Sequence, residues 1–147
     1  AGMMAQPFTG ELFYANGTGA HYEGRGANAR LSTRPTEDLA HATLCTTTPV
    51  LFRDGTREAY DRLERACRLS RYGTDCYAYC MLAAGHVDLV VEMGLQTYDI
   101  VALIPIIEQA GGKVTTWDGG PAEKAGGIVA AATPKLHDAA MALLHRG

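Results

Sequence analysis

The stretch Val87-Asp88-Leu89-Val90-Val91-Glu92-Met93-Gly94-Leu95-Gln96-Thr97-Tyr98-Asp99 is followed by an apolar run from Ile100 to Ile107 and closed by Glu108-Gln109-Ala110-Gly111-Gly112. Its first part is short and β-branched, which predicts a strand ending at Glu92. The apolar run is too long for a typical strand and stops at a Gly pair, which predicts a buried helix. Thr97 is the expected N-cap, so that Asp99 falls in the first turn. A carboxylate at a strand end and another at a helix start then face one loop, the place where α/β sheets build sites. Each acid also has a plainer reading: Asp99 as an acid favoured by the helix dipole, Glu92 as a solvated strand-end charge. Their combination in one short stretch makes them candidates for a joint role.

Outward from this stretch, the chain reads as strands followed by alternating helices and strands. Gly2 to Ala15 predicts two strands joined by a tight loop around Phe8-Thr9-Gly10, and Ala20-His21-Tyr22 a third. Gly17, Gly19, Gly24 and Gly26 lack a following helix with Lys-Ser/Thr, so a β-meander is preferred to a phosphate-cradling loop. Leu31 to Thr36, with Pro35, is a linker or edge strand, and Thr36 to Leu39 a helix start that fades. His41 to Thr48, rich in Thr, predicts a strand. Asp54-Gly55-Thr56 opens a surface helix over Arg57 to Leu69, with Ala59, Leu63, Ala66 and Cys67 inward. Ser70 to Asp75 leads into a buried helix over Cys76 to Ala84, ended by Gly85-His86. His86 is expected to be a turn residue rather than a general base. Lys113 to Trp117 and Gly127 to Ala132 predict strands, and Pro134 opens a last helix with Leu136, Ala140, Leu143 and Leu144 inward. The fold class is therefore α/β, a mixed β-sheet layered with helices.

The 147 residues, 47% of them hydrophobic, suffice for one domain, or one domain and a piece of another. A net charge of −3 gives no sign of a nucleic-acid partner. No apolar run is long enough to cross a bilayer. The four cysteines, Cys45, Cys67, Cys76 and Cys80, include no Cys-x-x-Cys pair. Cys76 and Cys80 with His86 nearby could suggest zinc, but a second ligand pair is lacking. Reduced thiols on a buried helix face, in a cytoplasmic compartment, are the expectation.

The run Glu92…Tyr98-Asp99 with its helix and Glu108-Gln109-Ala110-Gly111-Gly112 resembles the second signature of the inositol monophosphatase family, with Tyr where Trp is usual. Gln6-Pro7, Gly10-Glu11…Ala15 and Gly17-Thr18-Gly19-Ala20 resemble strands that end the first domain in that family. The resemblance implies the later part of a family member: residues 1–36 as strands ending a mostly absent first domain, and residues 37–147 as a C-terminal α/β domain. The start at Ala1 without Met fits that expectation. It implies a magnesium-dependent phosphomonoesterase acting as a homodimer, with Mg²⁺ activating water and neutralising phosphate charge. Asp99 matches the family's metal ligand, and Glu92 its substrate contact. The first signature, Asp-Pro-x-Asp-Gly-Thr, has no counterpart. Asp54-Gly55-Thr56 is preceded by Leu51-Phe52-Arg53 and lies after the meander, so it is read as a turn or cap. The catalytic groups are thus expected outside this chain, and the 147 residues alone are expected to be inactive.

Gly73-Thr74-Asp75-Cys76-Tyr77-Ala78-Tyr79 resembles the Gly-Gly-Asp-Cys-Tyr-Ala-Tyr run of the inositol-monophosphatase-like histidinol-phosphate phosphatases, where inositol phosphatases keep a small residue at Asp75. The implied substrate-binding set is Gly73, Thr74, Asp75, Glu92 and Asp99, with Asp99 also the metal ligand. Histidinol phosphate carries an ammonium and an imidazole, which two carboxylates complement. An inositol-phosphate or sugar-phosphate phosphatase is the alternative, and a non-catalytic domain that keeps the fold is a third reading.

Overall fold

The computed structural model describes residues 1–146. Four antiparallel strands, β1 (Gly2–Gln6), β2 (Glu11–Ala15), β3 (Ala20–Gly24) and β4 (Ala27–Arg30), form a meander in sequence order. A second sheet has the order β6-β5-β7-β9-β8, from β5 (Thr43–Thr46), β6 (Leu69–Tyr72), β7 (Leu89–Leu95), β8 (Lys113–Thr116) and β9 (Gly126–Ala131). Strand β5 runs parallel to β6 and β7, whereas β9 is antiparallel to β7 and β8. The helices are α1 (Gly55–Ala66), α2 (Tyr77–Ala83), α3 (Thr97–Ile100), α4 (Ile104–Gln109) and α5 (Pro134–Leu144).

Strand periodicity sorts the core into two layers. Within β7, Val90 points into a core shared with Phe13 of β2, Tyr79 and Leu82 of α2, and Ile106 and Ile107 of α4. Its neighbours Leu89 and Val91 point the other way, against Tyr60 and Leu63 of α1 and Leu136 and Ala140 of α5. Helices α2 and α4 thus lie between the two sheets, and α1 and α5 cover the far face. A strand covered on both faces needs a continuous apolar run rather than alternation, which is why Leu89-Val90-Val91 has no polar residue.

The crossing segment after β4 is fastened by one side chain. Arg34 donates through Nε to the Gly85 carbonyl at 2.5 Å, through Nη2 to the His86 carbonyl, and through Nη1 to Asp88 Oδ2 at 3.2 Å. Asp88 is fully buried and also accepts the Thr43 N–H at 2.8 Å.

Several local expectations are corrected. The run Ile100 to Ile107 is two short helices, α3 and α4, not one; Pro105 sits in the first turn of α4 and starts a new helix. The N-cap of α3 is Gln96, not Thr97. Residues 69–72 form strand β6 beside β5, where a lead-in to a helix was expected, because a parallel neighbour overrides the weak propensity of Leu69-Ser70-Arg71-Tyr72. Of the two readings of Leu31 to Thr36, linker or edge strand, the linker holds: it belongs to no strand, and β4 lies just before it. Cys76 is exposed, whereas Cys80 is buried, and all four cysteines are free. The fading helix after Thr36 is a 3₁₀ turn, Leu39–His41, with the Asp38 carboxylate accepting the Ala40 N–H at 3.0 Å.

Candidate active site

A cavity of about 640 Å³ opens where β5 and β7 end beside the starts of α2 and α3, with β1 forming the opposite wall. Thr47, Asp75, Glu92, Tyr98 and Asp99 supply its polar lining, and Met3, Met4, Leu51, Met93 and Leu103 its apolar one. Parallel pairing of β5 with β7, Leu44 opposite Leu89 and Cys45 opposite Val90, carries Thr46 and Thr47 alongside Glu92. Beyond Glu92 the β7–β9 register shifts at a bulge, and Met93 and Gly94 lie on the cavity wall there.

Glu92 is only 1% exposed. The reading of a solvated strand-end charge does not hold for it. Its Oε1 accepts the Thr47 N–H at 2.7 Å and the Thr47 hydroxyl at 2.8 Å, and its Oε2 accepts the Thr46 hydroxyl at 3.3 Å. Burial pushes its pKa above the ordinary carboxylate value, these three donors pull it back, and Asp75 adds a smaller push upward.

Asp75 approaches the same threonine. Its Oδ1 lies 3.3 Å from Thr47 Oγ1. A hydroxyl has one proton to donate. At 2.8 Å against 3.3 Å the proton is better placed for Glu92, so the hydroxyl serves Asp75 Oδ1 only weakly. No cation pairs with Asp75, Glu92 or Asp99 among the described residues. The backbone of Asp75 has a left-handed φ of 43°, uncommon for a residue other than glycine. Gly73 also has positive φ, and its N–H donates to the Thr47 carbonyl at 2.9 Å, which docks the loop against the end of β5. Gly73 and Thr74 therefore shape the loop but do not line the cavity, whereas Asp75, Glu92 and Asp99 do.

Asp99 is exposed at the start of α3. Its Oδ2 accepts the Gln96 N–H at 2.7 Å, so the helix-end role is real, but Oδ1 keeps no protein partner among the described residues. One hard carboxylate oxygen suits Mg²⁺ as a single ligand. A complete site is another matter: no group of three or more His, Cys, Asp or Glu that could hold a metal is found among the described residues. The residues present therefore do not by themselves make a magnesium site.

Thr46 and Thr47 were not singled out by the sequence reading. The signal was present in Thr46-Thr47-Thr48, three hydroxyls at the end of a strand, but strand propensity explained them sufficiently. Only the pairing of β5 with β7 turns them into donors for a buried acid.

The model of the inositol monophosphatase family matches residues 1–147. The chain belongs to that family. Among curated relatives, the chain is 43% identical over 119 residues to the chloroplastic bifunctional phosphatase IMPL2 of Arabidopsis thaliana, covering 80% of this chain and 33% of that protein. It is 34% identical over 136 residues to the histidinol-phosphatase of Mycobacterium tuberculosis, covering 90% of this chain and 52% of that one. Among solved structures, an inositol monophosphatase from Zymomonas mobilis superposes with a TM-score of 0.90 at 35% identity, over 98% of this chain and 56% of that chain. The inositol monophosphatase family chain thus spans between a third and about half the length of these relatives. No helix among its described residues is long and apolar enough to cross a membrane.

Proposed function

We propose that the whole protein is a magnesium-dependent phosphomonoesterase whose substrate has a positively charged leaving group, histidinol phosphate, and that it serves histidine biosynthesis. The observation that carries this reading is the single Thr47 proton placed between two carboxylates. Glu92 holds that hydroxyl at 2.8 Å against 3.3 Å for Asp75, and the exposed Asp75 carboxylate on the cavity wall has no cation beside it among the described residues. An ammonium or imidazolium supplies both the charge and the N–H. A ring bearing only hydroxyls offers Asp75 hydrogen bonds but no compensating charge. Histidinol-phosphatases from Mycobacterium tuberculosis and Streptomyces coelicolor, 34% and 37% identical over the matched residues, support the same choice.

In this reading Asp75 binds the cationic end of the leaving group, Glu92 holds Thr47 and adds negative potential, and Asp99 would be one carboxylate ligand for Mg²⁺. Gly73 and Thr74 set the loop that presents Asp75. The other metal ligands and the catalytic groups come from outside the 147 residues. Residues 1–36 belong with a first domain and residues 37–147 form the second. A homodimer in the cytoplasm completes the proposal, and four free cysteines suit a reducing compartment.

The inositol-phosphate reading has its own support in the inositol-1-monophosphatase of Caulobacter vibrioides, 30% identical over 123 residues. The two are separated by kcat/KM of the full-length protein with Mg²⁺ on histidinol phosphate and on inositol 1-phosphate. A preference of tenfold or more for histidinol phosphate is expected, on the order of one charge-assisted hydrogen bond. A preference for inositol 1-phosphate reverses the assignment. Release of phosphate from neither substrate points to a domain that keeps the fold without the activity.

A further inference from the structure

On the side of α2 away from Asp75, Glu11 of β2 forms a second buried polar cluster. Glu11 is 7% exposed. It accepts the hydroxyls of Thr9 at 2.5 Å, Tyr77 at 2.9 Å and Tyr22 at 3.1 Å, and Arg25 Nε lies 3.5 Å away. The Thr9 hydroxyl first, then those of Tyr77 and Tyr22, hold its carboxyl below the usual range. Burial and this same carboxylate push the Tyr77 hydroxyl up to about 12, so it remains a donor throughout the neutral range.

Tyr77 is the first residue of α2, two positions after Asp75. The Asp75 carbonyl in turn accepts the Ala78 N–H at 3.2 Å. The loop that presents Asp75 therefore has two fastenings. At its front, Gly73 N–H holds the Thr47 carbonyl; at its back, Tyr77 holds Glu11 on the other sheet. A left-handed φ is uncommon even for Asp, and the two fastenings hold the loop in the arrangement that requires it. The Tyr77 ring also packs edge-on against Phe13 at 5.9 Å, so its position does not depend on the hydroxyl alone.

We propose that Glu11 and Tyr77 are positioning residues that set selectivity for a cationic leaving group by holding the Asp75 loop from the opposite sheet. This rests on the histidinol-phosphate reading for its substrate, but not for the loop anchoring. The anchor acts on where the Asp75 carboxylate sits, and touches neither Asp99 nor Glu92. Loss of the anchor should therefore lower recognition of charge while sparing turnover on an uncharged ester.

The test uses the full-length protein and the variants Tyr77→Phe, Glu11→Ala and Glu11→Gln. Two quantities are read: amide exchange of residues 73–78 by mass spectrometry, and the ratio of kcat/KM on histidinol phosphate to that on inositol 1-phosphate. Tyr77→Phe keeps the ring and removes the donor, so it is expected to fold. Tyr77→Phe and Glu11→Ala should speed exchange in 73–78 and lower the ratio about three- to tenfold, with the loss in KM for the cationic ester. Glu11→Gln, which keeps an acceptor for Tyr77, should recover most of both. Unchanged exchange in 73–78 overturns the proposal, as does faster exchange with equal loss on the two esters. If the wild type shows no preference for the cationic ester, the functional reading fails, and the exchange measurement alone decides whether Glu11 and Tyr77 hold the loop.

Discussion

Replacing Thr47 by Val keeps a β-branched shape and removes one hydroxyl. Glu92 then keeps the Thr47 N–H at 2.7 Å and the Thr46 hydroxyl at 3.3 Å, and loses the donor at 2.8 Å. A hydrogen bond to a charged acceptor is worth about 1.5–3 kcal/mol, and because the strong amide bond survives, a loss of about 2 kcal/mol is expected at pH 7. The sign with pH follows from the raised pKa of Glu92. A carboxyl whose folded pKa lies above its unfolded value of 4.5 binds its proton more tightly when folded. Its stabilising contribution is fully present below 4.5 and is lost as pH rises through the folded pKa. The Thr47 hydroxyl lowers that pKa, so Thr47→Val raises it further and costs most where Glu92 is ionised. Urea unfolding of wild type and Thr47→Val should thus differ by about 2 kcal/mol at pH 7 and about 1 kcal/mol near pH 4, where the bond is neutral. A difference below about 0.5 kcal/mol at pH 7, the lower limit for a net hydrogen bond, would refute the hydrogen-bond assignment. So would a difference that grows as the pH falls.

Other perturbations test separate parts of the account. Arg34→Ala strips the fully buried Asp88 of its cation and should cost about 3 kcal/mol by chemical unfolding; a loss under about 1 kcal/mol would mean that the Thr43 N–H suffices. His137 is 3% exposed, with Nε2 2.9 Å from Thr115 Oγ1, and burial first, then Lys113, lowers its pKa from 6.5. Its contribution is present above 6.5 and lost as pH falls through the lower folded value, so His137→Gln should flatten the stability profile in that window; an unchanged profile contradicts this. Asp99→Asn in the full-length protein keeps shape and loses charge, so most Mg²⁺-dependent phosphate release should vanish while the melting temperature barely moves. Near-normal turnover at ordinary Mg²⁺ would leave Asp99 as a helix-end acid only.

The strands and helices with unambiguous periodicity were legible from sequence. Helix α5, expected from Pro134 to about His145, spans Pro134–Leu144, and the strand expected over Val87 to Glu92 is β7, Leu89–Leu95, which starts two residues later and runs three residues past Glu92. What failed was local and has a physical cause. Leu69 to Tyr72 reads as nothing in particular until β5 supplies its hydrogen bonds. The run from Ile100 to Ile107 looks continuous because Ile100, Leu103, Ile104, Ile106 and Ile107 are all buried, although the helix is interrupted between them. The convergence of Asp75, Glu92 and Asp99 on one cavity followed from motif spacing and resemblance. The role of Thr47 could not follow, because a hydroxyl set between acids separated from it by 28 and 45 residues exists only after β5 pairs with β7.

The central claim is that Asp75 recognises charge on the leaving group. Its most direct measurement is kcat/KM for full-length wild type and Asp75→Ala on histidinol phosphate and on inositol 1-phosphate. Losing one partner of a charge-assisted contact, about 1.5–3 kcal/mol, should lower the value for histidinol phosphate roughly tenfold or more. The value for inositol 1-phosphate should stay nearly unchanged. An equal loss on the two substrates would contradict the claim and leave Asp75 as a residue of the loop's structure.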